Sequence, residues 1–274
     1  IDPLYDLAFL LMDLDHRGIG DLGPGLLATW AEGMAAAPQA AVETAYDGFG
    51  LLGLYKAFRA GIRAKIGGIA ARSAEGEDRV ARLSEAEAYL DLALGYLEPS
   101  PPPRLVAVGG RSGSGKSVLA RGLAQRHGAL LIRSDAVRKG LAGIAESERL
   151  PPGSYSAEAS ARTYATMADR AERALAGGMS VILDAAHLHP GERLAAEGIA
   201  ARAGVPFTGL WLEAPAETLA ARVAARVRDA SDATARVVAR QLARDTGEIR
   251  WVRLDAGADP DTVLAEAEAR LGRH

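Results

Sequence analysis

The eight residues Gly110-Arg111-Ser112-Gly113-Ser114-Gly115-Lys116-Ser117 keep the spacing Gly, four residues, Gly-Lys-Ser, and the apolar run Leu105-Val106-Ala107-Val108 leads directly into them. No other stretch constrains the fold as tightly. Glycines let consecutive backbone N–H groups curl around phosphate oxygens, a lysine at this place reaches the terminal phosphates, and the serine hydroxyl fills one position around a Mg²⁺ ion. A helix-like run from Val118 to Arg126 follows, so the turn joins a strand to a helix whose positive end faces the phosphates. The expected nucleotide cradle is Gly110, Ser112, Gly113, Ser114, Gly115, Lys116, Ser117 and Val118, with ATP and Mg²⁺ as its ligands.

The second organising feature is Glu98-Pro99-Ser100-Pro101-Pro102-Pro103, where four prolines in five positions hold the backbone extended and stop any helix. Before this linker (99–103), residues 1–98 read as all-helical. Leu4, Leu7, Ala8 and Leu11 share a helical face, as do Leu51, Leu54, Tyr55, Phe58 and Ile62. Ser84-Glu85-Ala86-Glu87 reads as a capping box opening a helix that runs to about Leu97. After the linker, residues 104–274 alternate short β-like runs (104–109, 129–133, 180–184, 207–213, 249–254) with helical ones (116–127, 135–142, 157–177, 190–203, 215–228, 231–244, 261–272). That alternation predicts an α/β fold with three layers, α/β/α, around a five-stranded parallel sheet, preceded by a smaller all-helical domain. Ligands of such sheets gather at the C-terminal ends of the strands.

Composition narrows the classes. The chain of 274 residues is 49% hydrophobic with a net charge of −3, which fits a globular protein with no overall field toward nucleic acid or anionic lipid. It has no cysteine, which excludes disulfides, thiolate nucleophiles and Cys-ligated zinc, and agrees with a reducing, cytoplasmic location. Apolar stretches such as Leu7 to Met12 are too short to span a bilayer. The opening Ile1-Asp2-Pro3 reads as the start of an excised fragment.

Chemistry is expected directly after each strand. Asp135 follows the second strand, with Arg138 and Lys139 one turn on. The carboxylate accepts a proton from an acceptor hydroxyl, with Arg138 holding an anionic substrate or the transferring phosphoryl group, or else Ser134 or Asp135 simply caps the next helix. Asp184 ends Val181-Ile182-Leu183-Asp184, where it either holds Mg²⁺ through water or enters an ordinary turn. His187 and His189 are expected as surface or hydrogen-bonding groups, because no third soft ligand lies near them. Arg222 and Arg226 share a helical face before the break at Arg228-Asp229-Ala230-Ser231-Asp232. They belong either to a hinged lid over ATP or to a solvated face paired with Glu217, Asp229 and Asp232, the reading that also suits Arg236, Arg240 and Arg244.

Together, Gly110 to Ser117, Ile132-Arg133-Ser134-Asp135-Ala136-Val137-Arg138, Tyr155-Ser156 with Tyr164, Val181 to Ala185 and Arg222-Val223-Ala224-Ala225-Arg226 resemble the small kinases of the P-loop NTPase fold, such as gluconate kinase, chloramphenicol phosphotransferase, polynucleotide 5′-hydroxyl kinase and zeta-type toxins. The resemblance covers about 104–272. It implies that Asp135 contacts the acceptor hydroxyl and that Arg226 sits in a lid. Residues 2–18 and 55–65 resemble the end of an aminoglycoside-phosphotransferase-like domain, which certain bacterial proteins fuse to such a kinase. The His-Gly-Asp catalytic loop of that domain is missing here, so 1–98 is expected to be a helical remnant of its C-terminal lobe.

The resulting expectation is an ATP- and Mg²⁺-dependent kinase acting on a hydroxyl of a small molecule. Lys116, Asp135, Arg138 and Arg226 are its catalytic residues, Arg222 joins the nucleotide-binding set, and Ser117 and Asp184 (through water) are its metal residues. The alternatives are a regulatory ATPase module for a fused phosphotransferase and a polynucleotide kinase, the latter disfavoured by the acidic balance. The acceptor pocket is expected around 140–165 and 187–193.

Overall fold

A computed structural model describes residues 2–34, 45–99, 101–145, 148–151, 153–225 and 235–272. Five strands, β1 (Leu105–Gly110), β2 (Leu130–Arg133), β3 (Val181–Asp184), β4 (Phe207–Glu213) and β5 (Val252–Asp255), form one parallel sheet in the order β2-β3-β1-β4-β5. All residues of β1, β2 and β3 are buried. This is the expected state of a parallel sheet covered on both faces, and it is why these strands read as unbroken apolar runs.

Alternate residues feed two separate cores, because side chains on a strand change face at each step. Leu105, Ala107, Leu130, Ile132, Val181 and Leu183 point into one. Val106, Val108, Leu131, Ile182, Leu210 and Leu212 point into the other. The second face is closed mainly by α5 (Lys116–His127) and α11 (Pro260–Leu271), through Leu119, Leu123, Val263 and Leu264. The first is closed by α7 (Ala157–Ala176) and α8 (Pro190–Ala203), through Met167, Ala171 and Ile199. The remaining helices of this region are α6 (Ser134–Leu141), α9 (Ala216–Ala224) and α10 (Ala235–Leu242).

The amino-terminal helices join the first core. In α1 (Pro3–His16), Asp2 accepts from the Leu4 amide at 2.9 Å and Pro3 takes the first helical position, so the start is fixed by a cap and a preset φ. Leu4, Ala8 and Leu11 then meet Leu27 and Ala31 of α2 (Gly23–Met34) within the same apolar cluster as the strand residues. The helical segment and the sheet thus share one core.

Two expectations for this segment are corrected. The helix α4 (Gly76–Gly95) opens well before Ser84, so Ser84 to Glu87 lie inside it and form no cap. Glu75 supplies the extended N-cap backbone instead, and Glu77 and Asp78 complement the positive end of the first turn. In α3 (Leu52–Ala71) the face of Leu51, Leu54, Phe58 and Ile62 is exposed, Tyr55 alone being half-buried, with its hydroxyl donated to Asp2 at 3.0 Å. The buried side carries Ala57, Ala60 and Ala71, whose small side chains let α3 lie close against α1 and α4. Helical period marks which residues share a face, and the size of the residues on the other side decides which face is covered.

The last strand also starts later than expected. Trp251 leaves the strand register to lay its indole over Gly209 of β4, with its N–H donated to Glu197 at 2.8 Å. A methyl group at position 209 would fall within the indole ring. Gly209→Ala is therefore expected to lower unfolding stability by about 1–3 kcal/mol, the usual cost of overpacking, in a urea titration. Gly191→Ala, at a position with open space, should lie within about 0.5 kcal/mol of wild type.

Candidate nucleotide and phosphoryl-transfer site

The phosphate turn follows from backbone conformations that only glycine adopts readily. Gly110, Gly113 and Gly115 have φ of 142°, 88° and 85°. A Cβ on Gly113 would also strike the backbone of Leu219 in α9, so that position is closed on steric grounds as well. The turn is tied in from both sides. Gly110 N–H donates to the Ala186 carbonyl at 3.1 Å, linking it to the loop after β3, and Ser112 N–H donates to Gln241 Oε1 of α10 at 2.7 Å. The Ser114 amide donates to the Arg111 carbonyl at 3.1 Å and the Val118 amide to Gly115 at 3.0 Å, so these two are engaged within the turn and helix. The Val118 side chain is exposed.

The sheet order sets three strand ends side by side. Val108, Asp184 and Arg133 are register partners across β1, β3 and β2. Asp184 and Arg133 are both buried, with Arg133 Nε 3.7 Å from Asp184 Oδ2. Asp184 Oδ1 and the Ser114 hydroxyl are buried without a hydrogen-bond partner. Oxygens orphaned in this way are the feature that a hydrated Mg²⁺ and a nucleotide phosphate would satisfy. Among the described residues no cluster of three or more His, Asp or Glu could hold a metal alone.

Asp135 lies in the first turn of α6, which has an extended N-cap at Arg133 and no side-chain capping bond. Its carboxylate is not used as that helix's cap. Burial pushes its pKa above the ordinary carboxylate value, while the charges of Lys116 and Arg138 pull the other way and that of Asp184 adds to the rise. Arg138 Nη1 stands 3.5 Å from Asp135 Oδ1. The Arg138 guanidinium is buried, covers the ring of Tyr155 at 4.6 Å, and keeps its Nε without a partner. Lys116, Arg138 and Asp184 therefore all lie close enough for their charges to act on Asp135.

Arg222 is held elsewhere, donating to the Ala256 carbonyl beyond β5 at 2.7 Å. It lies one turn along α9 from Leu219, which backs the phosphate turn. Arg226 lies outside the described residues, as do Arg228, Asp229 and Asp232. Arg240 and Arg244 are exposed.

His187 departs from expectation, for it is neither on the surface nor hydrogen-bonded through its ring. It is buried at φ 48°, packed edge-on between Tyr164 (5.5 Å) and Trp251 (5.1 Å), and both ring nitrogens lack partners. Its backbone N–H donates to the Tyr164 hydroxyl at 3.1 Å. Arg193 fixes this loop from behind, donating to the carbonyls of His187 (2.8 Å), Leu188 (3.3 Å), Thr246 (2.6 Å) and Glu248 (3.1 Å). Neither this arginine clamp nor Gln241 carries a sequence signal, because their partners are backbone groups distant along the chain.

Burial, followed by the charge of Arg193, lowers the His187 pKa to about 3. The folded state then binds this proton less readily than the unfolded chain. His187 contributes full stability above its unfolded pKa near 6.5 and loses it as pH falls toward 3. Stability measured from pH 6.5 down to 4 should therefore fall by up to about 1.4 kcal/mol per pH unit on account of this residue. His187→Asn, which tolerates a positive φ and does not titrate, should have a visibly flatter slope.

Residues 105–246, more than half of the chain, match the AAA domain family AAA_33. Proteins of Mycobacterium tuberculosis and Mycobacterium bovis described as uncharacterized are 33% identical over 271 residues, which is 97% of this chain and 52% of theirs. The chain thus spans about half the length of these relatives. Among solved structures, a sugar kinase from Janibacter has 22% identity and a TM-score of 0.47 over 62% of this chain and 95% of its own. A gluconokinase from Sinorhizobium meliloti has 24% and 0.43 over 62% and 93%. The Mycobacterium tuberculosis APS kinase bound to AMPPNP and APS has 20% and 0.47 over 63% and 99%. With a glycine-shaped turn between β1 and α5 and a family match that runs from β1 through β4, the chain belongs to the AAA domain family.

Proposed function

We propose that this protein is a Mg²⁺- and ATP-dependent kinase that transfers the γ-phosphoryl group to a hydroxyl of a small molecule. The observation that carries the reading is Asp135, a half-buried carboxylate with a raised pKa close to Lys116 of the phosphate turn, at the start of a helix that has no side-chain capping bond. A carboxylate tuned toward neutrality suits a general base that must take a proton and release it again. Lys116 and the turn amides not already engaged within the protein would hold the phosphates, while Ser117 and, through water, Asp184 would hold the metal, which would supply charge neutralisation on the phosphates. Asp135 takes the acceptor proton as the acceptor oxygen bonds to the γ-phosphorus and the bridging bond to ADP breaks. Arg138 steadies the negative charge on the transferring group or the acceptor. Arg222 and Arg226 would add positive charge around the phosphates once nucleotide is bound.

The second reading, a regulatory ATPase module for a fused phosphotransferase, is favoured by one observation: the helical segment packs into the same core as the sheet, so changes at the phosphate turn have a route into it. On either reading, 1–98 is the end of an aminoglycoside-phosphotransferase-like lobe and the protein works in the cytoplasm.

Saturating Mg·ATP is expected to raise the melting temperature, since about 2.7 kcal/mol of stabilisation accompanies a hundredfold excess over Kd. Lys116→Ala should remove most of that rise, and an unchanged wild-type melting curve at millimolar ATP would exclude the nucleotide site. Asp135→Asn should keep ATP affinity and lose at least about a hundredfold in single-turnover transfer to the true acceptor. The wild-type kcat/KM should rise with pH through a pKa above the ordinary carboxylate value, and this acid limb should vanish in the variant. Equal transfer rates in the two proteins would favour the regulatory module.

A further inference from the structure

Two helices touch the phosphate turn. The backbone of Leu219 in α9 stands where a Cβ on Gly113 would fall. Gln241 in the last turn of α10 reaches the residues before it: its Oε1 accepts from the Ser112 amide at 2.7 Å, and its own carbonyl accepts from Arg111 Nε at 3.3 Å. Little else holds α10. Val238 packs with Leu219 and Val223 of α9 in a small cluster apart from both main cores, while Ala239, Arg240 and Leu242 are exposed. A helix of eight residues with one apolar contact is marginal by itself, so the bonds made by Gln241 carry a large share of what docks it.

The amides of the turn fall into two sets. Those of Gly110, Ser112 and Ser114 donate to protein acceptors, namely the Ala186 carbonyl after β3, Gln241 and the Arg111 carbonyl. Those of Gly113, Gly115 and Lys116 have no acceptor among the described residues. The first set fixes the shape of the turn and the second is left for an anion. Ser112 is buried, so without Gln241 its N–H would be stranded away from water and the turn would shift to satisfy it. A neutral amide suits this place, because it accepts from a backbone N–H without setting a negative charge beside a phosphate site.

We propose that Gln241 is a positioning residue for nucleotide. By holding the Ser112 amide it keeps the turn in the shape that receives phosphates, and it couples that shape to the docking of α10. Nucleotide binding then tightens α10 on the turn, and by reciprocity the loss of the Gln241 contact weakens nucleotide binding. The inference rests on the nucleotide-binding part of the reading above, and neither the acceptor nor the transfer step enters it.

The test uses the whole 274-residue chain as wild type, Gln241→Met and Gln241→Glu, with Mg·AMPPNP as the probe. Met keeps the length and helix propensity of Gln without the amide, and Glu keeps an acceptor oxygen at the same reach. Calorimetric titration reads the affinity, and hydrogen exchange of residues 235–242 reads the docking of α10. In wild type, saturating probe should slow exchange in α10 by at least about fivefold, the low end of usual coupling. Gln241→Met should exchange faster in α10 without the probe, lose the slowing on binding, and bind the probe at least about fivefold more weakly. Gln241→Glu should keep the wild-type exchange of α10 without the probe. The proposal is overturned if Gln241→Met binds the probe as tightly as wild type, including the case where only its melting temperature falls, which marks a merely structural contact. Tighter binding by Gln241→Met also overturns it and makes Gln241 a plug on the turn. Wild-type exchange in α10 that ignores the probe, or Gln241→Glu exchanging like Gln241→Met, overturns it as well. If wild type binds no probe, the nucleotide reading falls together with the proposal, whereas the other failures leave that reading standing.

Discussion

The placement of β3 between β1 and β2 is the constraint on which the site depends. Because the sheet runs β2-β3-β1, the phosphate turn after β1, the carboxylate ending β3 and the Asp135 turn after β2 emerge side by side at one edge. Strands are spaced by about 4.8 Å, so two steps across the sheet keep all three within reach of one small ligand. Any other order would scatter the same residues. The packing that secures this order is the alternation of strand side chains into two cores, each closed by its own helices.

Several groups in the site are costly to hold in place, and the structure shows what holds them. Buried charge is tolerated where it is shared: Arg133 faces Asp184, and Arg193 is satisfied by four carbonyls. Those carbonyls come from the loop after β3 and from the segment before β5, so one guanidinium joins two loops far apart in the chain. Asp184 Oδ1 and the Ser114 hydroxyl are left without a partner. Such under-satisfied groups concentrate where a ligand completes the hydrogen bonding.

The sequence carried the local information well. The apolar run of four residues before the glycines and the helical run 190–203 place β1 and α8 within a residue of their observed bounds, because caps, turn residues and periodicity act over a few positions. The phosphate turn was legible for the same reason. What could not be read depends on distant partners: the strand order, the burial of His187 between Tyr164 and Trp251, the Gln241 contact with Ser112, and the covered side of α3. The Ser84 capping box shows the reverse error, since a valid local signal stood inside a helix that started earlier. Arg222 illustrates a third case, where residue type and spacing suit a ligand and the guanidinium reaches a backbone carbonyl.

The indole of Trp251 has a further consequence. It and Trp211 are two of the three tryptophans, and a Cβ built on Gly109 would meet both rings, at 3.1 and 2.9 Å. Gly109 is the residue before the phosphate turn begins. Trp251 also touches the His187 ring, so it borders the turn and the loop after β3 together. The protein therefore contains its own optical reporter: any rearrangement of the turn on ligand binding would alter the polarity next to these indoles and change the colour and intensity of their emission without any attached label.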